Sequence, residues 1–421
     1  MRGEKINSDV DDSREHLPPD QALTDQQSHL SASTMWLIAV GLSLGPAVSN
    51  GFARFAYGLV LPAMRADLGW SYTEAGWLNT ANAIGYLIGA LLSLALISSF
   101  GARRLFIWGM ALTALSLVLS GLTRDFWLLS IFRMMTGIAG APVFIAGGTL
   151  AAGLFKGDPL RNALAIAIYF GGGGLGQLLS GATTPLILER MGQEIWPETW
   201  LLLGIASAIA FVPACLAANR LRQEDGGSAA ADTVDPLPYS RMLPALGGYF
   251  MFGLGYLIYL TFLVAWMRNE GSSATLVAVV WSLMGIATML SPFIWRRVLA
   301  WSRGGEAMAA ANLVTGLGVL CALAINPPLG VILSACLVGV SLYIVPTSAT
   351  TFGRRNLSQA QWGRSFAAFT TVFSIGQMIG PVASGSLSDA TNDIAPGLIA
   401  AGGILVFGAV VAVLQRPLKA R

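Results

Sequence analysis

The stretch SNGFARFAYGLVLP, residues 49–62, holds one charge, Arg54, among residues that are almost all apolar or small. The apolar run containing it extends from near Trp36 to near Pro62. A helix crosses a bilayer in about 20 residues, so this run is long enough to span. Burying a guanidinium at the centre of such a helix costs a few kcal/mol. An arginine kept there faces either a hydrated cavity or a set of protein acceptors.

Working outward, the whole chain has the same character. It is 54% hydrophobic and 11% charged over 421 residues, with a mean hydropathy of +0.64. Soluble domains carry about 25% charged residues. Apolar runs fall at 36–63, 74–97, 104–122, 127–154, 162–188, 200–217, 243–267, 274–295, 306–325, 329–351, 365–387 and 396–415, twelve candidate spans. The chain therefore reads as an all-α membrane protein. Residues 1–35 are polar and acidic, lack the apolar core of a signal peptide, and are expected to be a disordered cytoplasmic tail. With the N-terminus inside, nineteen of the 25 Lys and Arg fall in inside segments, four in outside loops, and two, Arg54 and Arg133, within spans. That asymmetry sets both termini in the cytoplasm.

Residues 219–241, NRLRQEDGGSAAADTVDPLPYSR, read as a flexible cytoplasmic linker. They separate a six-helix bundle at 36–218 from a second at 242–416, with a short tail at 417–421. The halves repeat. GGGGLGQLLSG at 171–181 and SIGQMIGPVASG at 374–385 share a spacing that equates Gly172, Gly176, Ser180 and Gly181 with Gly376, Gly380, Ser384 and Gly385. Two repeated six-helix halves suggest a transporter with a central site. The run Gly171–Gly174 reads as close helix packing. It is not a phosphate loop, because no G-x-x-x-x-G-K-[ST] occurs and no strand precedes it.

These residues resemble the major facilitator superfamily of secondary transporters over nearly all of 36–416. RMMTGIAGA at 133–141 is similar to a motif of its fourth helix, and the glycine runs of spans five and eleven look like its antiporter motif, with Gln177 where proline is usual and Pro381 kept. The loop SSFGARRL, 98–105, is a degraded copy of the family's loop between helices two and three, with Ser98 in place of the aspartate and Trp301 at the matching point of the second half. GFARFAYGLVLPAMRADLGWS and WGRSFAAFTTVFSIGQMIGPVASGSLSD look like the YbfB/YjiJ branch. The resemblance implies the major facilitator fold, twelve transmembrane helices in two pseudo-symmetric six-helix bundles, in a bacterial inner membrane.

Arg54 and Arg133 each lie eight residues from the outer end of their spans, about 12 Å deep at 1.5 Å per residue. No Asp or Glu lies equally deep, and Glu74 and Asp125 sit near the outer interface. Two buried cations without a deep anion point to an anionic substrate gripped by a planar fork. Bracing of backbone carbonyls, pairing of Arg54 with Glu74, and proton coupling through Glu74 or Arg133 stay open beside it. Polar stripes at helical spacing add substrate candidates: Asn50 and Tyr57 on the face of Arg54; Asn79, Asn82 and Tyr86; Tyr256 and Tyr259; and Gln377. Gly172, Gly176, Gly376, Gly380 and Pro381 are candidates for packing or gating.

Other classes fall away on composition. Both histidines, His16 and His29, lie in the tail, and Cys215, Cys321 and Cys336 lie in apolar runs. No metal set, cofactor site or nucleophile–base constellation is visible, so an enzyme is not expected, and no basic patch suits nucleic acid. The expected protein is a monomeric secondary transporter of a small organic anion, working by alternating access with symport or antiport as its energy source. Efflux of apolar or cationic compounds is the alternative, and a receptor-like protein on the same fold a further one.

Overall fold

The computed structural model describes residues 31–155, 157–221 and 236–418. Most of the expected tail and linker lie outside those residues. Among the described residues, twelve helices are long and apolar enough to cross a membrane. They are α1 Ala32–Leu68, α2 Tyr72–Phe100, α3 Ala102–Ser120, α4 Phe126–Ala152, α5 Pro159–Met191, α6 Gln193–Asn219, α7 Tyr239–Asn269, α8 Ala274–Trp301, α9 Glu306–Ala324, α10 Leu329–Asn356, α11 Gln359–Thr391 and α12 Ala395–Val413. Helices α1–α6 form one bundle and α7–α12 the other.

Several helices outrun the apolar brackets read from sequence, because backbone bonding continues after hydropathy has fallen. α1 runs five residues past Ala63, through Arg65 and Asp67, and stops where Gly69 turns left-handed at φ 66°. The Trp70 amide then closes the end on the Arg65 carbonyl at 3.2 Å. α10 likewise carries Arg354 and Arg355 in its last turn, where cations favour the helix dipole.

The repeated glycines do the same job in both halves. Gly172 and Gly176 of α5 lie on the α1 carbonyls of Ser43 and Ala47, and Gly376 and Gly380 of α11 lie on the α7 carbonyls of Phe250 and Leu254. A side chain at any of them would push the helices apart. The bundles then meet through α2 with α11, α5 with α8, and α1 with α7. The first two pairs exchange under the repeat. The Pro381 carbonyl, for instance, lies on Gly76 of α2.

These contacts are unequal along the helices. Call the end carrying Ser31, Leu221 and Leu418 the tail end, and the opposite one the far end. Only the far-end segment of α1, Tyr57–Leu68, packs closely on α7, while Ala32–Pro46 packs on α4, α5 and α6 of its own bundle. The tail-end segment of α10, Ile344–Asn356, likewise packs on its own bundle. The bundles are thus joined at the far end and part toward the tail end.

Two carboxylates close the far end. The first turn of a helix leaves its N–H groups without partners. In α2, Ser71 accepts from the Glu74 amide at 3.1 Å, and Glu74 returns the bond by accepting from the Ser71 amide at 2.8 Å. The remaining amides, Tyr72 and Thr73, donate to Asp389 of α11 at 2.8 and 2.9 Å, and the Thr73 hydroxyl donates to it at 2.6 Å. A carboxylate of one bundle thus completes the cap of a helix in the other. The mirror image is present. Ser273 caps α8, whose Ala274 amide donates to Glu189 of α5 at 3.3 Å, with Arg268 of α7 4.0 Å from that carboxylate. Arg65 of α1 stands correspondingly near, 3.7 Å over the Tyr72 ring.

This arrangement predicts a graded loosening of the far end. In a background lacking Cys215, Cys321 and Cys336, spin labels at Glu194 and Glu270 read the separation of the bundles there. Asp389→Ala removes three bonds, each charged hydrogen bond contributing about 1.5–3 kcal/mol. Longer distances are expected in Asp389→Ala, a smaller shift in Glu189→Ala, and the largest in the double variant. An unchanged distribution in Asp389→Ala would refute the clamp.

Candidate functional site

Arg54 is placed by an unusual winding. α1 is α-helical over Ala32–Pro46, π-helical over Ala47–Phe55 and α-helical again over Tyr57–Leu68. The Ala56 amide reaches back five residues to Gly51, at 3.0 Å. The change begins at Pro46, which has no N–H to offer the Leu42 carbonyl. Such segments are rare and cluster at functional sites. Deep in a membrane protein they survive only where neighbouring groups take up the displaced backbone bonds.

Arg133 of α4 does that. Its Nη1 donates to the Ala53 carbonyl at the seam where α1 returns to α-helix. Nη2 donates to Asn79 Oδ1 at 3.2 Å, and the guanidinium lies over the rings of Tyr57, at 4.7 Å, and Trp200, at 5.5 Å. Asn79 passes the connection to the other bundle through Thr261 of α7, 2.6 Å away. Asn82 donates to the Arg133 carbonyl and to Thr136 at 3.1 and 2.9 Å. Arg133 is 1% exposed and packed entirely in protein.

Arg54 faces the other way, between the bundles. Its Nη2 donates to Gln377 Oε1 of α11, and Gln377 Nε2 donates to the Tyr256 hydroxyl of α7 at 2.6 Å. The Tyr86 ring of α2 lies 4.8 Å from Arg54 Cζ. Arg54 Nε is buried without a partner. None of the ion pairs among the described residues includes Arg54 or Arg133.

A second interrupted helix meets the first. α10 breaks at Leu342 and Tyr343, between Leu329–Ser341 and Ile344–Asn356. Pro346 is the cause, since it cannot donate to the Leu342 carbonyl four residues back. The Tyr343 hydroxyl accepts from Asn50 Nδ2 of the π segment at 3.1 Å. It stands where a Cβ would project from Gly173 of α5, so that glycine makes its room. Gln177, one turn further along α5, is fully buried with both amide atoms unpartnered, and Ser49 Oγ is unpartnered as well.

An aromatic ladder leads from this centre toward the tail end. Tyr256 stacks on Phe252 at 4.7 Å, and Tyr249 on Phe373 at 4.7 Å, with Tyr256 and Phe373 5.7 Å apart and nearly parallel. Tyr249 also lines a cavity of about 220 Å³ with Pro346, Arg354, Trp362, Phe369 and Thr370.

Of the residues expected from sequence, the structure brings Arg54, Asn50, Tyr86, Tyr256 and Gln377 to one centre. It takes others elsewhere. Tyr57 donates to the Ala75 carbonyl at 2.6 Å, so it does not share a face with Arg54; the π winding has shifted the period between them. Tyr259 pairs with Ser334 of α10 at 2.7 Å, inside its own bundle. Asn82 is occupied by α4, and Asn79 lies one step away, behind Arg133. Glu74 is exposed at the far end as a helix cap and does not reach Arg54. Sequence reasoning missed Tyr343, whose signal was Pro346 four residues after Leu342, and missed Asp389, which stands just past the apolar part of α11.

A family model described as the uncharacterised MFS-type transporter YbfB, MFS being the major facilitator superfamily, matches residues 46–413. A putative metabolite transport protein of Haemophilus influenzae is 31% identical over 158 residues, 37% of this chain and 38% of its own length. The 3-(3-hydroxy-phenyl)propionate transporter of Escherichia coli K12 is 28% identical over 190 residues, 41% of this chain and 47% of its own. The match thus spans less than half the length of either. Monocarboxylate transporter 11 of Mus musculus is 25% identical over 391 residues, 88% of this chain and 75% of its own. In fold, the chain is similar to a bacterial homologue of the lysosomal transporter Spinster, with a TM-score of 0.66 at 15% identity over 91% of this chain and 97% of that one. The nucleoside transporter NupG gives 0.64 at 13% identity, over 90% and 97%.

The placement of Arg133 predicts a stability phenotype. Arg133→Leu leaves the Ala53 carbonyl and Asn79 Oδ1 without their donor, and each buried orphan costs about 1–3 kcal/mol. The purified variant should melt several degrees below wild type, and below Arg54→Leu, which leaves one buried acceptor, Gln377 Oε1, without its donor instead of two. Equal melting of Arg133→Leu and wild type would remove the bracing role.

Proposed function

The chain belongs to the YbfB-type family of major facilitator transporters, and on that premise we propose that it carries a small organic anion by alternating access, with Arg54 as the anion-binding group. Its relatives and structural neighbours are membrane transporters, not enzymes. The observation that carries the proposal is a guanidinium between the bundles, 6% exposed, with no carboxylate partner among the described residues. A buried charge is stable only when paired or fully hydrogen-bonded; Nε is unpartnered in both Arg54 and Arg133, but Arg54 has one acceptor, a neutral carboxamide, where Arg133 has two. A carboxylate completes the set around Arg54. The names of the relatives, a hydroxyphenylpropionate transporter and a monocarboxylate transporter, agree with that chemistry.

Around Arg54 the two interrupted helices supply Asn50 and Tyr343. Broken helices at the interface of repeats are where transporters of this kind build substrate sites. The bundles part toward the tail end, so the anion reaches the centre from that side, and the far-end clamps must open to release it on the other. The excess of Lys and Arg in the tail-end segments makes that side cytoplasmic and puts both termini there. The membrane is the cytoplasmic membrane of a bacterium. Reporter fusions after Arg421 should read as cytoplasmic; a periplasmic signal would invert the direction of access.

The decisive experiment compares wild type with Arg54→Ala and Arg54→Lys in proteoliposomes, using radiolabelled 3-(3-hydroxyphenyl)propionate, benzoate and short monocarboxylates. Thermal shifts of the purified proteins with the same compounds accompany it. Removing the cation should weaken binding by about 30-fold or more. Lysine should rescue poorly, because an ammonium lacks the planar fork. Both variants should still insert and fold, since the change makes α1 more apolar or keeps its charge. Normal carboxylate transport by Arg54→Ala would refute the assignment.

A further inference from the structure

We propose that Gln377 is a built-in stand-in for the substrate anion, occupying Arg54 when the carrier is empty and displaced when a carboxylate enters. The proposal rests on the anion reading above and adds the residue that decides what may replace it.

A guanidinium grips a carboxylate through two parallel N–H groups, and Nη2 belongs to the grip whether its partner is Nε or Nη1. Here Nη2 is taken by the Gln377 carboxamide oxygen, while Nε is buried with nothing to meet. The fork is half filled. A carboxamide has one acceptor oxygen and carries no charge; a carboxylate has two oxygens and the opposite charge. The arrangement favours exchange of the first for the second and disfavours neutral amides and cations.

Gln377 is not a passive neighbour. It is fully buried, and its amide nitrogen is held by the Tyr256 hydroxyl, so the oxygen is aimed at Arg54 by α7. The bond joins α1 of one bundle to α11 of the other, deep between them. An anion that takes Arg54 therefore frees Gln377 and Tyr256, and the change enters the second bundle through the stack of Tyr256 on Phe252 and its neighbour Phe373. With no anion bound, Gln377 partly satisfies the cation, which lets the empty carrier change conformation without stranding a bare charge in a low-dielectric interior.

Substitution separates this role from an ordinary contact. Gln377→Glu tethers a carboxylate at Arg54. It should raise the melting temperature of the ligand-free protein, and only while Arg54 is present: in an Arg54→Leu background the same change should lower it, because the new charge is buried alone. The thermal shift produced in wild type by benzoate or 3-(3-hydroxyphenyl)propionate should be lost in Gln377→Glu, an affinity loss of about 30-fold or more. Gln377→Leu removes the competitor. Its ratio of net uptake to carboxylate–carboxylate exchange in proteoliposomes should fall about tenfold relative to wild type, the worth of about one hydrogen bond, because only the empty carrier lacks its stand-in; an unchanged ratio overturns the proposal. A Gln377→Glu change that lowers the melting temperature equally in both backgrounds overturns the proposal, whatever the ligand results. So does carboxylate binding retained by Gln377→Glu where Arg54→Ala has lost it. Failure of the anion reading looks different: carboxylates then fail to shift wild type, or shift Arg54→Ala equally.

Discussion

A guanidinium buried between the helices of a membrane protein has to be met by acceptors in its own plane. Arg54 meets this demand incompletely. One nitrogen is bonded to a neutral carboxamide of the opposite bundle, one is buried without a partner, and an aromatic ring covers a face. Much of the local architecture exists to hold it there. The π winding of α1 sets the direction of the side chain, and Arg133 stabilises that winding by taking the Ala53 carbonyl. The break in α10 brings Tyr343 against Asn50 of the same segment.

The two intramembrane arginines therefore divide the work. Arg133 places both its Nη groups on protein acceptors and its faces on Tyr57 and Trp200, which is how a cation is made structural, although its Nε, like that of Arg54, meets no partner. Arg54 lies between the bundles with bonding capacity to spare. Their similar depth concealed that difference. What distinguishes them is the identity of the acceptors, a backbone carbonyl and an asparagine oxygen in one case and a single carboxamide of the opposite bundle in the other.

The far end shows how directional bonds add to the packing between two bundles. Each of α2 and α8 begins with a serine cap, and each takes a carboxylate from the facing bundle onto an amide of its first turn. Helix termini carry partial charge and unmet donors, so a single aspartate or glutamate closes the joint with directional bonds. Such bonds break as a unit when the helices separate and re-form when they return. That suits the opening and closing joint required by the alternating access proposed above better than a packed apolar core would, since such a core resists opening in proportion to its area.

The twelve spans, the repeat and the membrane location were legible in the linear chain, because they depend on properties that add along it: hydropathy over about 20 residues, charge in the loops, and glycine spacing within a helix. Arg54 and Gln377 were legible as polar residues in apolar company, as were Asn50, Tyr86 and Tyr256. Which of them meet was not, since that depends on the rotation of one helix against another. A regular helical period placed Tyr57 beside Arg54, and the π segment moved it to Ala75. Tyr259 and Asn82 have the same chemistry and spacing as the residues gathered round Arg54, yet they satisfy themselves on Ser334 and on α4. Asp389 and Glu189 look like loop-end carboxylates until α2 and α8 arrive against them. Periodicity in one helix determines which faces are polar; only the packing of twelve determines what each polar atom meets.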